Sequence, residues 1–121
     1  MAWILHCTRR VDWEAAFAQG AYTAPSLQRS GFIHFSTPQQ VTAVANVLFR
    51  GQSGLVLLCV NSDRLTAEVR YENLDRGTEL FPHVYGPVNL NAVDQVVDFP
   101  PEADGTFKLP TEIRSMAMGA D

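Results

Sequence analysis

Apolar residues fall along this chain in short blocks of two kinds, some alternating with period two as strands do, others recurring at three and four as on a helix. Trp3 to Cys7 is a short apolar block that predicts a first strand, with Thr8 placed to cap the next element. Between Arg9 and Gln19 the apolar positions Val11, Trp13, Ala16 and Phe17 predict a helix, with Asp12 and Glu14 in its early turns and Gly20 as a C-cap. Pro25 and Ser26 make Tyr22 to Leu27 read as irregular, and Gly31 introduces a second strand over Phe32 to Phe35. Ser36-Thr37-Pro38-Gln39-Gln40 predicts a helix start, with Thr37 at the N-cap, Pro38 at the first helical position and Gln40 closing a capping box. That helix extends to about Phe49, with Val41, Val44, Ala45, Leu48 and Phe49 as its core-facing stripe.

The unbroken run Leu55 to Val60 predicts a central strand buried on both faces. A turn follows over Asn61 to Leu65, then a short strand over Val69 to Glu72 with one polar face. Phe81 to Pro87 sets His-Val-Tyr-Gly between two prolines, which predicts a short, shaped edge or loop because proline cannot donate to a ladder. Val93 to Phe99 is the last predicted strand, and Pro100-Pro101 with the polar residues beyond places the end of order near Leu109. The expectation is one domain over residues 1–109 and a polar, flexible tail over residues 110–121. Its class is α+β, a bent or split, mostly antiparallel sheet of about five strands with two helices in the N-terminal half. A parallel dinucleotide-binding sheet is disfavoured, since the helices are few and no Gly-x-Gly-x-x-Gly follows a strand.

A length of 121 residues suits that single domain, and 46% apolar with 18% charged residues is a globular balance. Nine basic against 13 acidic residues give a formal charge of −4, which leaves no basic footprint for duplex nucleic acid. The basic set is arginine apart from Lys108, and arginine suits bidentate contact with phosphate or carboxylate in a local pocket. Cys7 and Cys59 lie inside predicted strands and read as buried free thiols. The N-terminus lacks the basic region and long apolar stretch of a signal peptide, and no run approaches the roughly 20 apolar residues of a membrane span. The expected location is the cytoplasm.

All three histidines sit in apolar runs with a hydroxyl residue two places on: His6 with Thr8, His34 with Ser36, His83 with Tyr85. On strands each pair faces one side, and neighbouring strands bring facing side chains to roughly 5 Å. His6 reads either as a ligand-orienting donor or as a strand histidine tucked against the first helix. Beside His34, Ser36, Thr37 and the free N–H groups of a helix start form a corner suited to an anion or hydroxyl, unless they serve only as caps. Pro82 and Pro87 stiffen the segment of His83 and Tyr85, which lowers the entropy of holding a site there, unless Tyr85 packs on the core edge and His83 caps a loop. Glu72 and Glu79 are the nearest acids able to orient a histidine or bind a ribose hydroxyl. Zinc is disfavoured for want of His-x-His, His-x-x-x-His or Cys-x-x-Cys spacing, and a serine hydrolase because Ser36 lacks the Gly-x-Ser-x-Gly elbow.

His6-x-Thr8, Trp13-Glu14-Ala15-Ala16, Pro25-Ser26-Leu27, Gly31 to Thr37 and Glu79 to Pro87 carry a resemblance. Over about residues 2 to 107 the chain resembles the small bacterial family called domain of unknown function 952. The resemblance implies an ADP-ribosyltransferase-like fold, a split β-structure with a cleft for NAD or a related ribose phosphate. By position it gives His6 the role of holding the nicotinamide-side ribose and His34 that of stacking on nicotinamide. Where an acidic residue ordinarily stabilises the ribosyl cation, the chain offers His83, Tyr85 and the preceding Glu79. The functional expectation is therefore a metal-free site for a nucleotide or ribose-phosphate ligand, with NAD as a candidate and ADP-ribosyl or phosphate transfer as its reaction. His6, His34 and His83 would be its catalytic residues, and Thr8, Ser36, Thr37, Tyr85 and Glu79 its binding residues. The alternatives are a non-catalytic binding or structural domain that retains the cleft, and a hydrolase using His83 and Glu79.

Overall fold

The unbroken apolar run at the middle of the chain becomes β4 (Leu55–Asn61) in the computed structural model, which describes residues 2–73 and 79–117. It is the centre of an antiparallel sheet whose outer strands are β1 (Trp3–Arg9) and β8 (Val93–Asp98). Val56 through Val60 have no solvent exposure, because both faces of this sheet are covered. Val56, Leu58 and Val60 pack on one side with Ile4, Trp13, Tyr22, Ile33, Phe35 and Val84. Leu55, Leu57 and Cys59 pack on the other with Leu5, Val41, Ala45, Phe99, Phe107 and Ile113. A strand between two cores has no wet face, so the alternation of a half-exposed strand is missing from its sequence.

On the first side lies a second antiparallel sheet made of β3 (Ile33–His34), β6 (Phe81–Tyr85) and β5 (Glu68–Glu72), with β6 in the middle. The Phe81 to Pro87 segment is thus not the edge or loop its prolines predicted. The Pro82 carbonyl accepts from the Phe35 N–H at 3.0 Å. N and O of one strand residue face the same neighbour, so the missing donor of Pro82 points past the end of β3, where it breaks no regular ladder bond. Among the described residues one backbone bridge joins the two sheets, in which Leu5 and Ser36 exchange hydrogen bonds of 2.7 and 2.8 Å. From there they part, giving the split, mostly antiparallel architecture.

Four α-helices occur among the described residues, against the two expected: α1 (Arg10–Gln19), α2 (Pro25–Ser30), α3 (Val41–Leu48) and α4 (Thr111–Ala117). β1 runs past Cys7 to Arg9, so Thr8 is a strand residue and does not cap α1. α1 buries Trp13 and Ala16 and leaves Val11 and Phe17 exposed. The stretch read as irregular holds β2 (Ala21–Tyr22), which pairs with β7 (Val88–Asn89), and α2, where Pro25 supplies a preset φ at the first turn. Before α3, the Val41 N–H already donates to the Thr37 carbonyl at 3.1 Å, and the Thr37 N–H donates to Gln40 Oε1 at 3.0 Å. That second bond is one half of the expected capping box. Past Leu109 the chain forms α4 where a flexible tail was expected; its Ile113 is fully buried, and residues 118–121 lie outside the described residues. The proline pair at Pro100-Pro101 does not end the fold because Phe107 and Ile113 bring further apolar surface to the second core. Among the described residues no helix is long and apolar enough to cross a membrane.

Candidate functional site

Ile33 and Val84 point from β3 and β6 into the first core, so alternation turns Phe32 and His34, with Phe81, His83 and Tyr85, to the opposite face. The register of β5 adds Glu68, Arg70 and Glu72 to that face. His34 and His83 are direct cross-strand partners, their ring centroids 5.5 Å apart at an interplanar angle of 87°. Phe32 stacks on His83 with centroids 4.2 Å apart. His83 Nδ1 lies 2.9 Å from Glu72 Oε1, and the Tyr85 hydroxyl donates to the same oxygen at 2.6 Å. These bonds, the one from Tyr85 foremost, hold the Glu72 carboxyl below the usual carboxylate range, and the same contact pushes the Tyr85 hydroxyl up. Arg70 spreads over the Tyr85 ring, Cζ 4.5 Å from its centroid, while pairing with Glu68 at 2.9 Å.

His6 stands apart from that pair and acts on it through the backbone. Its Nδ1 lies 2.6 Å from the His34 carbonyl oxygen, which can only accept, so Nδ1 carries the proton. Nε2 then accepts from the Tyr22 hydroxyl at 2.7 Å, and Thr8 Oγ1, 3.0 Å from that hydroxyl, completes a buried polar chain. Strand alternation makes the His34 carbonyl face β1, as Ser36 does, at the point where the two sheets part; the His6 ring fills the gap left by the diverging backbone. Burial lowers the His6 pKa to about 4, against a smaller opposing effect of the carbonyl bond. Its ring contacts are with Tyr22 and Phe35, each 5.2 Å between centroids, so of the two readings the strand histidine packed inside the fold describes its position.

A cleft of about 410 Å³ opens between the histidine face and α3. His34, Ser36 and His83 form its polar side, and Ala43, Val44, Val47 and Leu48 line it from α3. The expected stripe of α3 is therefore divided: Val41 and Ala45 enter the core, while Leu48 is 63% exposed at the cleft. His6 lines neither this cleft nor a second one of about 520 Å³, on whose wall Thr8 and Tyr22 lie. At the corner expected to hold an anion, Gln40 Oε1 takes the Thr37 N–H, Pro38 has none, and the Gln40 and Val41 N–H groups bond to the Thr37 carbonyl. Glu79 accepts from Gln40 Nε2 at 3.4 Å, and the acid that meets His83 is Glu72. A pairing of His83 with Glu79 is thus replaced by one with Glu72, and Tyr85 meets the site through that carboxylate and through the Phe32 ring, 5.3 Å between centroids.

Glu72 was one of the two acids read from the sequence as able to orient a histidine, without preference over Glu79, whereas Phe32 as the stacking ring and the α3 wall were not read as site residues. The signal for Glu72 was the alternation Glu68-Val69-Arg70-Tyr71-Glu72, which places three charged side chains on one face of a strand. Cys7 and Cys59 are free, and burial pushes both thiols up to about 12, which leaves no thiolate for nucleophilic chemistry. Among the described residues no three His, Cys, Asp or Glu side chains gather to hold a metal ion.

Fold and site together define an α+β domain with a split antiparallel sheet and a carboxylate-supported histidine pair at the mouth of an apolar-walled cleft. The profile described as "Protein of unknown function (DUF952)" matches residues 7–96, and the chain belongs to that family. The crystal structure of protein CC0527 from Caulobacter crescentus is similar, with a TM-score of 0.83 and 34% identity over 93% of this chain and 98% of that one. The solution NMR structure of the same protein gives a TM-score of 0.78 and 33% identity over 100% of both chains. No curated protein matches the sequence.

Proposed function

We propose that this chain is an ADP-ribosyltransferase-like domain whose cleft binds a nucleotide or ribose-phosphate ligand, NAD foremost. The observation that carries the reading is the pair His34 and His83 on the polar side of a cleft whose other wall is apolar. A flat ring such as nicotinamide or adenine is a partner for the α3 wall, which offers Ala43, Val44 and Val47. Ribose hydroxyls are partners for the imidazoles and for Ser36, whose side chain lies at the split between the sheets. Among the described residues no Lys or Arg lines the cleft, so the phosphates of such a ligand stay at its mouth in water. His6 contributes by fixing the His34 carbonyl, at 2.6 Å, and not by touching the ligand.

Thermal denaturation with NAD, ADP-ribose and adenosine monophosphate tests this. A ligand at 100 times its Kd adds about 2.7 kcal/mol of stability, a rise in Tm of roughly 10 °C for a domain of this size. The expected result is such a rise, reduced in His34→Ala. No rise at millimolar concentration of any of the three would favour a domain that keeps the cleft for structural reasons.

A further inference from the structure

We propose that His83 is the general base of this cleft and Glu72 its positioning residue, so that the chemistry is proton removal from an attacking hydroxyl. The inference rests on the ribosyl-ligand reading above and names its reacting group. Among the described residues no Asp or Glu lines the cleft, so no carboxylate there faces a ligand directly. Glu72, which bonds to the His83 ring, is reached from the cleft through that ring. The ring is held on three sides: Nδ1 by Glu72 at 2.9 Å, one face by Phe32 at 4.2 Å, and its flank by the His34 ring at 5.5 Å. A carboxylate on Nδ1 makes that nitrogen the N–H and leaves the lone pair on Nε2, the arrangement that a base requires. Among the described residues no buried polar side-chain atom lacks a partner, so the unbonded Nε2 is open to the cleft that His83 lines. Tyr85 shares the same Glu72 oxygen at 2.6 Å, which keeps the carboxylate anchored while it orients the imidazole.

With NAD and water the step balances without further reactants. Water loses a proton to His83 Nε2 as its oxygen bonds to C1′ of the ribose. The bond from C1′ to the nicotinamide nitrogen breaks, its electron pair returns to the ring, and nicotinamide leaves neutral. His34, exposed beside His83, is placed to contact the ribose.

Nicotinamide release from NAD is measured beside thermal stabilisation by ADP-ribose, for wild type, His83→Ala and Glu72→Gln. General base catalysis is worth about 100-fold or more, so His83→Ala should lose that much of kcat and regain activity when imidazole is added. Glu72→Gln should lower kcat by roughly 10-fold with KM nearly unchanged, the mark of a group that orients a base without binding substrate. Stabilisation by ADP-ribose in both variants confirms that they fold with the cleft intact. If ADP-ribose stabilises the protein but release is absent, or equal in wild type and His83→Ala, the base is wrong and the ligand reading stands. If neither NAD nor ADP-ribose stabilises the wild type, the ligand reading falls and the base falls with it.

Discussion

His6 ties the stability of this fold to pH. Its pKa, lowered by burial to about 4 from an ordinary 6.5, means that the folded chain disfavours the charged ring. The unfolded chain takes up a proton as pH falls below 6.5 and the folded one does not, so stability is full above 6.5, declines down to about 4 and then levels. That gap corresponds to about 3 kcal/mol. Urea denaturation of wild type and His6→Ala between pH 7.5 and 4.5 should show a steeper loss in the wild type by most of that amount. Equal slopes would assign the pH dependence to other groups. Glu72 acts in the same sense at lower pH, since its depressed carboxyl contributes stability above the ordinary carboxylate range and loses it as pH falls through the lower folded value. The alternation of β3 and β6 made His34 and His83 legible as residues able to share a face. The choice between Glu72 and Glu79 was not legible, because Glu72 meets His83 across 11 residues of chain through a strand register that local sequence does not encode.

Two elements diverge from their sequence patterns for reasons that can be tested. β6 carries Pro82 yet lies between two strands, and the turn after it places Gly86 against a neighbour. A Cβ at Gly86 would stand 2.9 Å from Ala67 Cβ, closer than side chains pack. Gly86→Ala should therefore cost about 1–3 kcal/mol, and adding Ala67→Gly should recover part of it. A single variant as stable as wild type would show that β5 and β6 can shift apart at no cost. α4 was hidden by composition, since Thr111-Glu112-Ile113-Arg114 contains one apolar residue and follows a polar stretch. That residue is fully buried with Val41, Ala45 and Phe99, a long-range contact with no periodic signature. Ile113→Ala should cost about 2–5 kcal/mol in urea denaturation, whereas loss of a solvated tail residue would cost nothing measurable. α1 and α3 were readable because apolar spacing, the Gly20 C-cap and the Gln40 bond to Thr37 are local properties, although Thr8 lies in β1 and does not cap α1; α2 and α4, at six and seven residues, are too short for a period to show.

At the scale of the molecule, two cores share one strand, and this decides whether the fold is one cooperative unit. Leu57 and Leu58 are adjacent on β4 and both fully buried, but Leu58 faces the histidine-bearing sheet through the first core and Leu57 faces α3 and α4 through the second. Unfolding either core strips one face of β4, and a strand wet on one face with this apolar sequence is unstable, so neither core should survive alone. The split between the sheets does not separate them, because the first core packs across it from Ile4 to Ile33 and Val84. Leu57→Ala and Leu58→Ala should each cost about 2–5 kcal/mol and shift one common transition. In a Trp3→Phe background, Trp13 reports on the first core, while far-ultraviolet circular dichroism reports on the helices of both. The two probes should give coincident urea curves for wild type and both variants. Separate midpoints in Leu57→Ala would show that the α3 and α4 side can unfold while the histidine site remains. The cleft between them, with one wall from each side, would then open by local unfolding of its apolar wall.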